Sequence, residues 1–223
     1  MKTCIVIPAY NEARAIAGVI QQILSHKLDL IIVDDGSLDD TSEVAKMAGA
    51  TVIKNLKNEG KGSSLIKGFN YALENNFDAV ISMDGDGQHH TDDISNFIDL
   101  AKKSASSIFI GNRMQETKDM PWLRIQTNKT MSWFISSVTG QKIYDTQCGF
   151  RLIKREVLEK IKLTTNKYET ESEMLVKAAR LGFKIESIPI RTIYADETSQ
   201  INPFIDTLRF FRFLIKEVWT TKP

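Results

Sequence analysis

Asp84-Gly85-Asp86-Gly87-Gln88 holds the residues best suited to chemistry in this chain. Two carboxylates two positions apart, separated and followed by glycine, can turn toward one point. Hard divalent cations such as Mg²⁺ take oxygen ligands, commonly one or two carboxylates together with the phosphates of a substrate. Gln88 adds an amide oxygen within reach. His89 and His90 follow, but a hard cation prefers oxygen, so neither is assigned as a ligand. A bare pair of this kind also occurs as an idle, solvated acidic turn. A calcium loop of the EF-hand type is excluded: counted from Asp84, its sixth and twelfth positions hold His89 and Ser95 where that loop requires glycine and glutamate.

The elements that must position this turn can be read from hydrophobic patterning. Val80 to Met83 reads as a buried strand ending at Asp84, and Thr91 with Asp92 and Asp93 as the start of a helix running to Lys103. Thr3 to Ile7, Leu30 to Val33, Thr51 to Ile53 and Ser107 to Ile110 are further strand runs. Between them fall helices from Asn11 to His26, with Ile16, Val19, Ile20, Ile23 and Leu24 on one face, from Asp39 or Asp40 to near Gly49, and from Ser63 to Asn75. Strands alternating with helices predict βαβ units and a mostly parallel sheet. In such sheets ligands sit outside the carboxyl ends of the strands. Pro8 to Glu12, Asp34 to Ser37 and Asp84 to Gln88 all fall there, and three polar clusters on one edge favour a site over an idle turn.

Composition narrows the function classes. With 223 residues, 42% hydrophobic and 26% charged, the chain is long enough for one large α/β domain. A net charge of +1 gives no argument for nucleic acid. Cys4 and Cys148 lie far apart and suggest reduced thiols in a cytoplasmic protein. Neither a secretory signal nor a run of about 20 apolar residues is visible. A phosphate loop of the GxxxxGK[ST] kind fails at Asn55 and Gly62, and PAYNEA stands where a GxGxxG dinucleotide fingerprint would follow the first strand. A sugar-1-phosphate nucleotidyltransferase would place a GxGTR-like turn there.

Seven segments in order, VIPAYNE (6–12), VDDGS (33–37), NEGKG (58–62), SMDGDGQH (82–89), GNR (111–113), DTQCGFR (145–151) and KYETESEML (167–175), resemble the motifs of family 2 glycosyltransferases. The set is similar to the branch around dolichyl-phosphate mannose synthase and related polyprenyl-phosphate sugar synthases, over roughly residues 3 to 195. The QxxRW signature of processive polysaccharide synthases does not appear, and Gln147 and Cys148 stand where mannose synthases tend to have threonine and serine.

The resemblance implies a glycosyltransferase A-type domain over residues 1–200, with an amphipathic C-terminal helix over 201–223. It also implies inverting transfer from a nucleotide-sugar donor to a polyprenyl phosphate, with Mg²⁺ or Mn²⁺ held by Asp84, Asp86 and Gln88. Pro8, Tyr10 and Glu12 would contact base and ribose, Asp34 would accept from the base, Asp35 would support its turn, and Lys61, Asp84 and Gly85 would approach the donor. Arg113, Arg124, Arg151 and Arg191 would serve donor or acceptor phosphates. Asp145 and Glu171 are the candidate catalytic carboxylates, with Arg113 beside them. A hydroxyl acceptor needs a general base, whereas a lipid phosphate does not, and Asp145 would then orient the arginines. A transferase acting on a soluble or polysaccharide hydroxyl, or a non-catalytic nucleotide-sugar-binding module, are the alternative readings.

Two stretches suggest where a lipid acceptor would be met. Pro121 to Val138 carries Trp122, Leu123, Trp133 and Phe134 with Arg124 and Lys129, and Pro203 to Trp219 sets an apolar face beside Arg209, Arg212 and Lys216. Both patterns suit helices lying in a membrane interface. They equally suit helices packed on the domain or on a second copy. The expected location is cytoplasmic and peripheral to the membrane, with a homo-oligomer or a separate membrane subunit as candidate partners.

Overall fold

The structure, a computed structural model, describes residues 1–118, 120–193, 209, 210 and 212. Seven strands form one sheet: β1 (Thr3–Ala9), β2 (Asp29–Asp34), β3 (Thr51–Lys54), β4 (Ala79–Ser82), β5 (Ile108–Asn112), β6 (Arg151–Lys154) and β7 (Ile185–Pro189), in the order β3-β2-β1-β4-β6-β5-β7. All are parallel except β6, which runs antiparallel to both β4 and β5. Ser82 at the end of β4 therefore sits opposite Arg151 at the start of β6. The loop before β6 thus reaches the same edge as the loops that follow the parallel strands.

Helices α1 (Ile16–Leu24), α2 (Thr41–Met47), α3 (Lys61–Glu74), α4 (Asp93–Lys103), α5 (Trp122–Thr139), α6 (Arg155–Lys160) and α7 (Glu169–Arg180) complete the fold. The central strand β1 is apolar and buried along Cys4–Ile7, consistent with a parallel strand covered on both faces. In α1 the expected apolar face forms: Ile16, Val19, Ile20 and Ile23 are buried while Gln21 and Gln22 are exposed. The helix starts five residues later than Asn11. Asn11 has φ 57°, and its side chain accepts from Leu38 N at 2.9 Å, so it ties the β1–α1 loop to the β2–α2 loop instead of capping α1. Cys4 and Cys148 are free and buried, and burial pushes each thiol up to about 12.

The proposed boundary at residues 200 and 201 lies outside the described residues, as does most of the expected C-terminal helix. Of that helix Arg209, Phe210 and Arg212 are described as helical; Phe210 is buried in the core, and the two arginines are exposed. Among the described residues no helix is long and apolar enough to cross a membrane.

Helix α3 lies so close to β1 that a Cβ on Gly68 would fall 2.3 Å from Val6 Cγ1. Val6 is fully buried and has little room to yield. Gly68→Ala should therefore destabilise the protein by roughly 1–3 kcal/mol from overpacking, offset by no more than about 1 kcal/mol of better helix propensity. The urea midpoint should fall with an unchanged slope.

Candidate active site

The carboxyl edge of the sheet gathers two buried carboxylates that fix its loops. Asp35, just past β2, accepts from Glu59 N at 2.9 Å, Gly60 N at 2.8 Å and Asn55 Nδ2 at 2.8 Å. That pulls the NEGKG turn over the β2 end. Asp34 accepts from Ser37 N at 2.8 Å and from the Ser42 hydroxyl, with Lys54 Nζ at 3.7 Å. It is fully buried, so the expectation that it accepts from a base gives way to a role in holding the 34–38 turn. Pro8, in register with Val33, Tyr10 and Glu12 are half-buried on the adjoining loop. Glu12 N donates to Thr41 Oγ1 at 2.8 Å, and Ala13 N donates to Asp39 Oδ2 at 3.2 Å.

Asp84 and Asp86 extend from the end of β4. Lys61 Nζ, from the first residue of α3, lies 2.6 Å from Asp84 Oδ1 and 3.2 Å from Glu171 Oε2 in the first turn of α7. Burial would lower the lysine's affinity for its proton, but the Asp84 and Glu171 charges outweigh it and hold the ammonium above its ordinary range. For Asp84, burial would raise the pKa, yet Lys61 and His89 hold it well below the carboxylate range. Asp86 is raised, by burial first and then by the Asp84 charge, while its Oδ1 accepts from Gln88 N at 2.9 Å. Gly85 is buried, and a Cβ there would come 3.3 Å from Ile7 Cγ2.

Two neighbours were not assigned from the sequence. His89 is buried and places Nε2 3.4 Å from Asp84 Oδ2, with its ring 5.3 Å from that of Phe150. A Cβ on Gly149 would lie 2.5 Å from Asp84 Oδ2, so only glycine leaves room for the carboxylate. The CGF within DTQCGFR was the available signal for that second contact.

The donor set fits a hard cation only in part. Asp84 and Asp86 supply oxygens and repel each other, a repulsion that a divalent ion would relieve. Among the described residues no three His, Cys, Asp or Glu side chains group to hold a metal ion. The set suits an ion that completes its shell with substrate phosphates. Gln88 is half-buried, and its backbone oxygen accepts from Ile193 N at 2.9 Å.

The second half of the edge is built by arginines. Arg113 is buried and donates to Asp145 through Nε at 2.7 Å and Nη2 at 3.0 Å. Asp145 also accepts from Arg113 N and Gln147 N, so both its oxygens are engaged. Arg151, expected among the phosphate-binding arginines, is 1% exposed. It donates to the carbonyls of Cys148 at 2.8 Å, Thr146 at 2.9 Å and Glu171 at 2.7 Å. That expectation is corrected: with three backbone acceptors and no solvent access, Arg151 orders the loop before β6. Arg124 is half-buried in the first turn of α5. Arg191 is exposed, pairs with Asp92 at 3.5 Å and donates its backbone N to Asp93 Oδ2 at 3.1 Å. Glu171 Oε1 is buried without a hydrogen bond, 3.9 Å from Arg151 Nη2.

A mostly parallel sheet flanked by helices, with an acidic pair at its carboxyl edge, defines a glycosyltransferase of the A type. The family model described as glycosyl transferase family 2 matches residues 4–162, and the chain belongs to that family. It is 30% identical over 236 residues to the UDP-N-acetylglucosamine--dolichyl-phosphate N-acetylglucosaminyltransferase of Methanococcus voltae, covering 95% of this chain and 94% of the relative. To the polyprenol monophosphomannose synthase of Mycolicibacterium smegmatis it is 28% identical, covering 85% and 76%. An uncharacterised protein of Methanocaldococcus jannaschii is 32% identical over 198 residues, with 86% and 82% covered. Among solved structures, glucosyl-3-phosphoglycerate synthase from Mycobacterium tuberculosis with Mn²⁺, uridine diphosphate and glucosyl-3-phosphoglycerate superimposes with a TM-score of 0.74. That match is 18% identical and covers 98% of this chain and 79% of that one.

Glu173, two residues beyond Glu171, fastens α7 to the segment before it. It accepts from Thr164 N and Thr165 N, from both threonine hydroxyls, and from Lys177 Nζ. Burial would raise it, but the hydrogen bonds from Lys177, Thr165 and Thr164 outweigh burial and hold it at about 2, against an ordinary 4.5. A depressed pKa contributes stability above the ordinary value and loses it as pH falls toward the folded one. Glu173→Gln should cost roughly 2–3 kcal/mol at neutral pH. The gap to wild type in urea unfolding should close as pH falls from about 4.5 to about 2.

Proposed function

We propose that the protein transfers a sugar, with inversion, from a nucleotide-sugar donor to a polyprenyl phosphate, with Mg²⁺ or Mn²⁺ at Asp84 and Asp86. One observation carries the acceptor class: Asp145, the best-placed carboxylate of the acceptor half, has both oxygens engaged by Arg113 and backbone amides. It is not placed to remove a proton, and a phosphate acceptor, already an anion near neutral pH, has none to remove. The relatives named for dolichyl-phosphate and polyprenol substrates support the same reading. The solved neighbours holding Mn²⁺ or Mg²⁺ with uridine diphosphate support the donor side.

In this reading an acceptor phosphate oxygen attacks the anomeric carbon as the bond to the diphosphate breaks, and the electron pair leaves with the nucleoside diphosphate. Asp84 and Asp86 would hold the cation, which would supply Lewis-acid stabilisation of that leaving group worth several kcal/mol. Tyr10 and Glu12 take the ribose and base from a loop locked by Asn11, Thr41 and Asp39. Arg113, held rigid by Asp145, presents fixed positive charge to the reacting phosphates, and Arg124 and Arg191 flank it. The exposed face of α5 carries Trp122, Lys129 and Trp133. Tryptophans about three turns apart with a lysine between them suit a membrane surface.

A second reading rests on Glu171 Oε1, a buried carboxylate oxygen without a hydrogen bond beside Lys61 and Asp84. A hydroxyl acceptor could use it as base.

Asp84→Asn combined with Asp86→Asn should abolish turnover while circular dichroism stays native, and excess chelator should do the same to the wild type. Full activity in either case would remove the cation from the site. For the acceptor, polyprenyl phosphate in anionic liposomes should accept the sugar, and Glu171→Gln should retain substantial turnover there. A drop of about 10²- to 10⁴-fold in that variant, together with transfer only to soluble hydroxyl compounds, would establish the second reading.

A further inference from the structure

Lys61 is held where a cation would have to bind. Its Nζ is 2.6 Å from Asp84 Oδ1. The other oxygen, Oδ2, has His89 Nε2 at 3.4 Å. Both oxygens that an incoming ion would use thus already face a nitrogen, and the ammonium holds the nearer place.

The backbone position of Lys61 is fixed by the glycines on either side. Gly60 has φ 104°, and a Cβ there would lie 2.4 Å from Asn166 O; a Cβ on Gly62 would lie 2.0 Å from Thr170 Oγ1. Ser63 N donates to Asn166 O at 3.2 Å. The start of α3 is thus pressed onto residues 166–170, which sets the lysine between β4 and α7. Its side chain has a second resting place, because Glu171 Oε2 is 3.2 Å away on the α7 side.

We propose that Lys61 is a resident counter-cation that keeps Asp84 from taking a bare divalent ion and releases it only when the ion arrives with a diphosphate. The inference rests on the donor reading above. An ammonium and a divalent ion a few ångströms apart on one carboxylate repel strongly in a partly desolvated site. With no third acidic or imidazole ligand grouped there among the described residues, the protein offers a bare ion little to offset that repulsion. A diphosphate changes the balance twice. It supplies oxygens to the ion, and it gives the lysine a new anionic partner. An ammonium has three donors, so Lys61 can keep Glu171 while turning to a phosphate oxygen.

The test is Mn²⁺ uptake by the full-length protein, followed by electron paramagnetic resonance, without nucleotide and then with uridine or guanosine diphosphate. Wild type should bind bare Mn²⁺ weakly and acquire a protein-bound Mn²⁺ signal once the diphosphate is added. Lys61→Met should bind bare Mn²⁺ roughly tenfold tighter or more, and Lys61→Arg, which keeps the charge, should remain weak. Bare Mn²⁺ bound as tightly by wild type as by Lys61→Met, or as tightly without diphosphate as with it, would overturn the proposal. If Lys61→Met does not fold, Lys61→Gln, which also removes the charge, takes its place in the same comparison. Failure of both diphosphates to bind with Mn²⁺ would instead remove the donor reading and this inference with it.

Discussion

Arg151 places a permanent positive charge in the interior, and the acceptor half of the site depends on how that charge is satisfied. An unpaired buried ion is prohibitively costly. Here the guanidinium donates to three carbonyls, from Thr146, Cys148 and Glu171, so its charge is met by fixed dipoles rather than by water. Those carbonyls belong to the loop before β6 and to the first turn of α7. One side chain therefore sets the distance between the segment that carries Asp145 and the helix that carries Glu171. Loss of one partner from such an arrangement typically costs several kcal/mol, because the remainder stays buried and uncompensated.

The donor half uses the opposite sign in the same way. Asp35 is a buried carboxylate saturated by two backbone amides and the Asn55 side chain. Lys67 and Glu59 extend that network toward solvent, Lys67 Nζ reaching Asn55 Oδ1 at 2.7 Å and Glu59 at 2.8 Å. The loop carrying Lys61 is thus anchored to β2 by charge and pressed onto α7 by the absence of two side chains. Between the two saturated ions lies the unsaturated group: Asp84 with its lysine, Asp86 with a raised pKa, and Glu171 with one oxygen lacking a hydrogen bond. Rigid walls around an unbalanced centre are what a site for a multiply charged ligand requires.

Much of this frame was legible in the chain itself. β1, β2 and β4 are short apolar runs rich in isoleucine and valine that end in polar turns, and a buried parallel strand has few other ways to look. The acidic pair was legible because it falls, with two other polar clusters, at the carboxyl ends of these strands. β6 and β7 were not read as strands. RLIK is four residues with a cation at each end, and IESIP is half polar, so neither shows a two-residue period against its background. Arg151 was misplaced for a related reason. An arginine in a motif reads as a ligand for an external anion, and nothing in local sequence reveals that three carbonyls from two distant segments converge on it. His89 was set aside on ligand softness, yet its burial against Phe150 and Asp84 follows from tertiary packing alone.

The reversed strand β6 also governs how the chain can reach this state. β5 pairs with β6 and β7 and has no hydrogen-bonded contact with β4. During synthesis β5 therefore emerges without a partner, and β4 keeps an open edge until residue 154 has been made and inserted between them. Contacts that close over such long stretches of chain are slow to form. Exposed strand edges in the interval are also prone to association with other chains. Insertion of this short, doubly cationic strand must be followed by α7 and β7 before the site is complete. A nascent chain stalled before that point would carry the turns after β1, β2 and β4 without the α7 segment on which the Lys61 loop rests, assembled in part and inert.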